Sequence, residues 1–299
     1  MNVNNQRSGL VSIIGRTNVG KSTLINQILG QKVFITSRKP QTTRNRLLGI
    51  KTKDASQAVF IDTPGVHAGE NRALNKYMNK VAFNSMFGVD IILFIVERLL
   101  WTDQDQLILD RLPKDGLHVI LVINKVDKIE DKNLLLPHIK NFSLRYDFTD
   151  ILPVSALHEM NIEQLEDVIF SKLTNRAHDY PKDQVADVSE KFLVSELIRE
   201  KCITRVGDEI PYRISVGIEA FLRNKKLIDI SAVLYVEKLS QKGILIGHKG
   251  ERLKSIGTSA RKDIEVLLDS KVMLRLWVKV KKDWTNNLSL LSSFGYSDD

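Results

Sequence analysis

One eight-residue segment near the start of the chain combines two glycines with a lysine and a serine. It runs from Gly15 to Ser22, reads GRTNVGKS, and matches the spacing G-x-x-x-x-G-K-[ST]. The apolar run Leu10–Ile14 precedes it, and a helical pattern over residues 23–29 follows. Glycines let the backbone approach phosphate, successive N–H groups bind anions, and the start of a helix adds positive potential. The segment therefore predicts a phosphate-binding loop.

Two side chains of this loop have expected roles in phosphate chemistry. Lys21 should reach the β- and γ-phosphates of a nucleotide, and Ser22 should bind Mg²⁺. The predicted nucleotide contacts of this region are Gly15, Arg16, Thr17, Asn18, Val19, Gly20, Lys21, Ser22 and Thr23. A loop of this type does not by itself distinguish ATP from GTP.

A second motif, Asn124-Lys125-Val126-Asp127, follows the apolar run His118–Ile123. Its residue types are suited to binding the base of a nucleotide. The Asp127 carboxylate can accept hydrogen bonds from the ring N1–H and the exocyclic amine of guanine, a pair of donors that adenine lacks. Lys125 should lie over the base, and the backbone N–H groups of Ser155 and Ala156 should lie near the guanine O6. The substrate predicted from this motif is GTP.

A third motif, Asp62-Thr63-Pro64-Gly65, follows the apolar run Ala58–Ile61. Asp62 is the expected water-mediated partner of Mg²⁺, and the Gly65 N–H is the expected contact of the γ-phosphate. The next residue, where many GTPases carry a glutamine that orients water, is Val66. A valine cannot polarise water, so His67, a bridging water or an external element has to substitute.

The polar segment Lys39–Arg44 lies between the first and third motifs and has no periodicity. It suits a loop that Mg²⁺ and the γ-phosphate order and that hydrolysis releases. Thr43 is the better candidate for the Mg²⁺ ligand, with Thr42 as an open alternative. The residues predicted to act in catalysis are Lys21, Thr43, Asp62 and Gly65.

These motifs need a scaffold that holds them at one edge. From Leu10 to about Leu173, apolar runs alternate with amphipathic helical patterns, which indicates an α/β fold with a mostly parallel sheet covered on both faces. Ligands of such sheets bind at the carboxyl ends of the strands. Each motif follows a predicted strand, so we expect the motifs to meet there.

The chain has 299 residues, a length typical of about two domains, and a formal net charge of +8. Residues 223–282 carry 15 Lys and Arg against six Asp and Glu, so the basic excess lies in this segment. A polyanionic partner is expected there. The chain contains no run of 18 apolar residues, and its single cysteine fits a reducing compartment, so a cytoplasmic location is predicted.

The basic segment contains Gly247-His248-Lys249-Gly250 before an amphipathic helical pattern over 251–268. A helix over 187–203 and strands near 212–221, 228–239 and 272–280 complete an α+β arrangement typical of a type II KH domain. In KH domains a GxxG loop clamps about four nucleotides. The predicted RNA contacts are Gly247, His248, Lys249, Gly250, Lys279, Lys281 and Lys282.

Taken together, GRTNVGKSTL, KPQTTR, DTPG, NKVD and VSA, with EIPY (209–212), GILIGHKGERLKSIG and LRLWVKVKKDW further on, resemble the Era family of ribosome-associated GTPases. The similarity extends from about residue 8 to 284. Thr17 stands where that family usually has Pro, and the segment 97–103 is atypical.

The resemblance implies slow intrinsic GTP hydrolysis, a monomeric protein and binding to the 3′ region of small-subunit ribosomal RNA during assembly of the 30S subunit. It also implies Asn18 as a candidate K⁺ ligand beside the Mg²⁺ set of Ser22, Thr43 and Asp62, and a peripheral contact with the inner membrane.

The predicted boundaries are a P-loop GTPase domain at 1–175, a linker at 176–186, a KH domain at 187–284 and a flexible tail at 285–299. The alternative is a membrane-associated signalling GTPase whose basic module binds anionic lipid. A tRNA-modifying GTPase would need a further catalytic domain, for which the chain has no room.

Overall fold

The structure is a computed structural model that describes residues 6–37, 39, 42–66, 72–113, 116–206, 213–224 and 227–296. It contains two compact units. The first comprises Met1–Phe34, Thr43–Glu70 and Met78–Asp187, and the second comprises Ile35–Thr42, Asn71–Tyr77 and Val188–Asp299. The predicted domain boundaries at 175, 186 and 284 stay predictions.

The first unit is built on a seven-stranded sheet. Its strands are β1 (Arg7–Ile14), β2 (Leu47–Lys53), β3 (Ser56–Asp62), β4 (Ile91–Glu97), β5 (His118–Asn124), β6 (Asp150–Pro153) and β7 (Thr174–Asn175). The sheet order is β2-β3-β1-β4-β5-β6, with β7 paired to the start of β1. Strands β3, β1, β4, β5 and β6 are parallel, as the continuous apolar runs predict.

Helices pack against this sheet and bury its apolar core. They are α1 (Lys21–Leu29), α2 (Ala73–Asn84), α3 (Asp103–Leu109), α4 (Leu135–Ser143) and α5 (Ile162–Ser171). Local sequence sets their ends. The Thr102 side chain and Asp105 form a reciprocal capping box at the start of α3, and Gly30 ends α1 with φ of 72°. The result is a rigid scaffold under the strand ends.

The second unit has a three-stranded sheet with helices packed against it. Its elements are α6 (Glu190–Arg205), β8 (Ser215–Arg223), β9 (Ile228–Val236), α7 (Leu239–Ile246), α8 (Glu251–Leu267), β10 (Val272–Val280) and α9 (Leu288–Ser293). The sheet order is β10-β9-β8, with β10 parallel and β8 antiparallel to β9. The α-β-β-α-α-β order agrees with the type II KH arrangement that the sequence predicts.

Three elements differ from the sequence-based expectation. The sequence does not predict strand β2, which pairs with β3 in antiparallel fashion across a turn at Asp54, where φ is 55°. The strand expected over 228–239 ends at Val236, because helix α7 begins at Leu239. In the predicted tail, helix α9 forms and Phe294 stacks on Tyr235, so the described part of that segment is packed rather than loose.

The described residues contain no helix that is both long enough and apolar enough to cross a membrane.

Candidate functional site

The predicted phosphate loop connects β1 to α1 at the carboxyl edge of the first sheet. A Cβ placed on Gly15 would lie 2.5 Å from the Ile95 carbonyl oxygen. Gly20 begins α1 with φ of 103°, and a Cβ there would lie 2.3 Å from Nδ2 of Asn124. Both positions therefore require glycine, one for close backbone approach and the other also for its left-handed conformation.

Lys21 lies across this loop and is buried. Its Nζ donates hydrogen bonds to the carbonyl oxygens of Gly15 and Arg16, each at 3.0 Å. Burial lowers the pKa of Lys21 to about 8, while the carboxylate of Asp62 opposes that change. The ammonium is thus held by carbonyl oxygens of the loop itself, and its contact with nucleotide phosphates stays a prediction.

Three oxygen-bearing side chains converge beside the loop. Oγ of Ser22 lies 2.9 Å from both Oγ1 of Thr43 and Oδ2 of Asp62, and Oγ1 of Thr43 donates to the same Oδ2 at 3.2 Å. The other carboxylate oxygen of Asp62, Oδ1, is buried and has no hydrogen-bond partner among the described residues. Burial raises the pKa of Asp62 to about 6. A buried carboxylate with an unsatisfied oxygen needs a cation or a donor.

These three residues fit Mg²⁺. The ion prefers oxygen ligands and usually keeps waters, binding through one or two carboxylates together with substrate phosphates. The described part of the chain has no cluster of three or more His, Cys, Asp or Glu that could hold a metal ion. A site with one carboxylate and two hydroxyls is therefore suited to an ion that the nucleotide shares.

The geometry favours Thr43 over Thr42 as the Mg²⁺ ligand. The Thr42 hydroxyl donates to the carbonyl oxygen of Lys39 at 2.7 Å, whereas the Thr43 hydroxyl faces Asp62. Thr43 is also the more buried of the two.

The third motif lies against the phosphate loop. A Cβ on Gly65 would lie 2.6 Å from Cγ2 of Thr17, so the two backbones touch. The Thr63 hydroxyl donates to the Ile13 carbonyl oxygen at 2.7 Å, which fixes the start of the motif. Val66 is 2% exposed, and its side chain packs in the core. His67 lies outside the described residues.

Asn124 connects three loops at the guanine end of the site. Its Nδ2 donates to the Val19 carbonyl oxygen at 2.8 Å, and its Oδ1 accepts from the backbone N–H of Ala156 at 3.0 Å and of Lys125 at 2.8 Å. Nδ2 also lies so close to the backbone of Gly20 that a Cβ on Gly20 would collide with it. The side chain thereby fixes the phosphate loop relative to the base-reading segments.

Lys125 and Asp127 follow at the end of β5. Lys125 has φ of 63°, and its Nζ donates to the Asn18 carbonyl oxygen at 2.6 Å. The Asp127 carboxylate accepts from the Ser155 hydroxyl at 2.5 Å, which orients it. Asn18 itself is exposed, with φ of 64°. These positions agree with a guanine site at the end of β5.

The remaining predicted nucleotide contacts lie on the same edge. Thr23 is half-buried in the first turn of α1, Pro64 is buried, and Val126 begins a single 3₁₀ turn. Their contribution to the site is therefore the course of the backbone rather than a side-chain hydrogen bond to another motif.

Two acidic residues of the site were missed by the sequence analysis. Glu97, at the end of β4, pairs with Lys125 at 3.2 Å and lies 3.8 Å from Arg16. Asp105 is fully buried and accepts from Nε of Arg16 at 3.2 Å. The position of Glu97 at the carboxyl end of a central strand was the available signal, because that edge binds ligands in such folds. The two carboxylates fix the side chains that flank the phosphate loop.

The GxxG loop of the second unit lies between α7 and α8. The N–H of Gly247 donates to the Gly243 carbonyl oxygen at 2.9 Å, and Gly250 begins α8 with φ of 83°. A Cβ on Gly247 would lie 2.7 Å from Cβ of Arg252. His248 and Lys249 are exposed at the tip of the loop. The backbone is therefore open to a ligand at this turn, as the motif predicts.

The predicted RNA contacts on β10 have different surroundings. Lys279 pairs with Glu219 at 2.7 Å, and this contact raises the Lys279 pKa. This ion pair is exposed to solvent, and the RNA contact of Lys279 stays a prediction. Lys281 and Lys282 are exposed just after β10. The segment EIPY (209–212), which contributes to the family resemblance, lies outside the described residues.

Comparison with known families assigns both units. The family described as "50S ribosome-binding GTPase" matches residues 10–125, and the KH domain family matches residues 209–285. GTPase Era of Marinobacter nauticus is 51% identical over 98% of this chain and 96% of its own length. GTPase Era of Pseudomonas fluorescens is 52% identical over 98% of this chain and 97% of its own length.

Two solved structures are similar over nearly the whole chain. One is Era in complex with MgGDPNP and nucleotides 1506–1542 of 16S ribosomal RNA, and the other is a single-residue variant of Aquifex aeolicus Era bound to GDP·AlF₄⁻. Each is 36% identical to this chain, has a TM-score of 0.94, and covers 98% of this chain and 100% of its own.

Proposed function

The chain belongs to the Era family of GTPases, and on that premise we propose that it hydrolyses GTP and binds small-subunit ribosomal RNA during assembly of the 30S subunit. GTP is the substrate, Mg²⁺ the cofactor, and 16S-type ribosomal RNA with its subunit the partner. This partner implies a cytoplasmic location. A peripheral contact with the inner membrane and the monomeric state stay predictions.

The observation that carries the GTPase proposal is the convergence of Ser22, Thr43 and Asp62 beside Lys21, with one Asp62 oxygen unsatisfied among the described residues. Ser22 and Thr43 would bind Mg²⁺, and Asp62 would hold it through a water. The ion neutralises charge that develops on the phosphates during transfer. Lys21 would supply a second positive charge to the same oxygens, and the Gly65 N–H would donate to the γ-phosphate.

The loop supplies orientation and electrostatic stabilisation rather than a general base. Val66 faces the core and cannot hold a water, so the site has no glutamine equivalent at that position. Slow turnover follows, because positioning of the attacking water is left to another group. This property suits a timer that changes state once per assembly event.

A potassium ion at Asn18 is a further part of this proposal. The residue is exposed at the rim of the phosphate loop, where a monovalent cation could approach the phosphates. Replacing K⁺ by Na⁺ should slow GTP hydrolysis severalfold in the wild-type chain. Equal rates in the two salts would remove Asn18 from the account.

The RNA part of the proposal rests on the GxxG loop before α8 and on the relative that binds the 3′ end of 16S ribosomal RNA. The family description of the first unit names the 50S subunit, whereas the solved relative carries small-subunit RNA. The solved relative matches both units over 98% of this chain, which supports small-subunit RNA as the partner. The lipid-binding alternative is not favoured by any of these relatives.

The test combines hydrolysis with RNA binding in the full chain. Lys21→Ala and Asp62→Ala should abolish phosphate release from GTP, while Val66→Ala should change the rate little because its side chain faces the core. In filter binding, the wild-type chain should retain a 16S fragment in preference to an unrelated RNA of equal length. The proposed site would be contradicted if the Lys21→Ala and Asp62→Ala variants each still hydrolysed GTP.

A further inference from the structure

A groove of about 450 Å³ lies in the second unit between the end of α6 and one face of α8. Arg205, the last residue of α6, forms one side. The α8 side chains that line it recur at helical spacing: Lys254, Ser255, Thr258, Ser259 and Lys262, with Glu251 at the start of the helix. The opposite face of α8, which includes Ile256, Ala260 and Ile264, is buried in the core. The groove is thus lined by charged and hydroxyl-bearing side chains on the exposed face of α8.

The basic side chains that line the groove are not neutralised by ion pairs with acidic residues in the part of the chain that the structure describes. Arg205, Lys254 and Lys262 form no ion pair among the described residues. Two other cations on the same helices are paired, since Lys201 contacts Asp263 and Arg261 contacts Glu265. Ion pairing therefore leaves positive charge concentrated in the groove, where Glu251 is the acidic residue of the described lining.

The other lining groups suit phosphate rather than bases. Nε of Arg205 lies 3.3 Å from Oγ of Ser255, and the hydroxyls of Thr258 and Ser259 line the same face. Lysine, arginine and short hydroxyl side chains are the usual contacts of phosphate oxygens. Within the described part of the chain, the lining includes no aromatic residue on which a base could stack. Recognition here would thus be independent of sequence.

The distance between the lysines of the groove indicates a polymeric ligand rather than a single anion. Lys254 and Lys262 are eight residues apart, or roughly 12 Å along a helix axis. One phosphate group cannot bridge both, whereas a nucleic-acid strand presents a charge about every 3.4 Å along its axis. The described lining residues include no apolar side chain that could enter a lipid surface, which fits a nucleic-acid strand better than a membrane.

We propose that this groove, which we call the α6–α8 groove, binds the phosphate backbone of RNA as a second surface beside the GxxG loop. Helix α8 begins directly after Gly250, so the loop and the groove lie on one continuous element. An RNA clamped at the loop would continue along the helix. The inference rests on the proposed RNA-binding function and extends it to a part of the RNA outside the four clamped nucleotides.

The test measures the salt dependence of RNA binding for Lys254→Gln/Lys262→Gln. The probe is the 16S fragment 1506–1542 that the solved relative binds. Each lost phosphate contact should lower the slope of log K against log salt by about 0.7 to 0.9, so the slope of the double variant should fall by about 1.5 when measured from roughly 50 to 200 mM KCl. Both lysines are exposed, so the thermal unfolding midpoint should not change.

Lys132→Gln/Lys140→Gln is the matched control, because both lysines are exposed on the first unit and removing them changes the net charge equally. Its slope should equal that of the wild type. A four-nucleotide single-stranded RNA, which fills only the GxxG loop, should bind the wild type and the groove variant with equal affinity. Arg205→Gln should lower the slope for the long fragment by about the same amount as either lysine alone.

Three results would overturn the inference. The groove variant could share the slope of the control, it could lose affinity for the four-nucleotide RNA as well, or it could lose binding to phosphatidylserine vesicles while its RNA slope stays unchanged. Failure of the wild-type chain to bind the long fragment at all would instead remove the proposed RNA-binding function, and the groove with it.

Discussion

At the scale of single residues, the proposed Mg²⁺ site depends on three side chains. Ser22, Thr43 and Asp62 come from three separate segments, yet their oxygens lie within 3.2 Å of one another. The sequence motifs predict Ser22 and Asp62 unambiguously. They leave Thr42 and Thr43 open, because neighbouring residues of a loop without periodicity give no signal of direction.

The two threonines provide a matched pair of variants. Thr43→Val should raise the Mg²⁺ concentration needed for half-maximal GTP hydrolysis at least tenfold, because it removes a ligand oxygen and keeps the shape. Thr42→Val should change this concentration less than twofold, since its hydroxyl bonds Lys39 instead. A titration of phosphate release against Mg²⁺ concentration distinguishes the two assignments of the ligand. The reverse ranking would assign the ligand to Thr42.

Asp62 should make stability depend on pH in a chain without nucleotide or Mg²⁺. Burial raises its pKa from 3.8 to about 6, so the folded state binds the proton more tightly than the unfolded state. The stability that protonation favours is present below pH 3.8 and is lost as the pH rises to about 6. The loss for this buried group is about 3 kcal/mol.

Asp62→Asn, which mimics the protonated carboxyl group, should therefore exceed the wild type in stability above about pH 6, and the difference should shrink towards about pH 4. Denaturant unfolding across this pH range measures it. A difference that is independent of pH would mean that Asp62 is not the buried, unsatisfied carboxylate described above.

At the scale of elements, strands with one continuous apolar run and helices with a clear period were predictable. The expectation failed where tertiary pairing outweighs local pattern. Strand β2 contains Lys51 and Lys53 and holds its place by pairing with β3, a partner that its own sequence does not reveal. Helix α7 contains Gly243, which obscures its helical period, and α9 depends on aromatic packing of Phe294 against Tyr235 and Trp284.

The candidate site likewise combines residues that the sequence predicts with contacts that only the fold reveals. Motif spacing predicts the residues proposed to contact nucleotide, since fixed chemistry needs fixed types at the strand ends. It does not predict the pairing of Glu97 with Lys125, because the two residues are held together only by the adjacency of β4 and β5. It also does not predict the pairing of Lys279 with Glu219, because the two residues lie on β10 and β8, on either side of β9.

The junction of the phosphate loop and α1 yields a prediction about Gly20. Gly20→Ala should lower GTP affinity more than tenfold, because the added methyl group displaces Asn124, which holds the loop to the guanine segment. Gly30→Ala is the control at the other end of α1. Gly30 also has positive φ but open space around it, so its substitution should cost about 1 kcal/mol of stability and leave GTP affinity unchanged. Fluorescent-nucleotide binding distinguishes the two, and equal affinities would contradict the role given to Asn124.

At the scale of the whole molecule, the two units divide the work by chemistry. In the proposed function, the first would bind the phosphates of GTP through backbone N–H groups, Lys21 and Mg²⁺, and the second would bind RNA through the GxxG turn and the α6–α8 groove. The basic excess of the chain lies in the second unit, as the composition indicates. A GTP-dependent change of RNA affinity would need a ligand that binds the two states of the chain unequally.

Crosslinking of the full chain to cellular RNA, with a non-hydrolysable GTP analogue and without it, tests the central claim most directly. The account predicts recovery of the 3′ region of small-subunit ribosomal RNA, and a loss of that RNA when Lys249→Gln is combined with Lys254→Gln/Lys262→Gln. Recovery of no small-subunit RNA in either nucleotide state would contradict it.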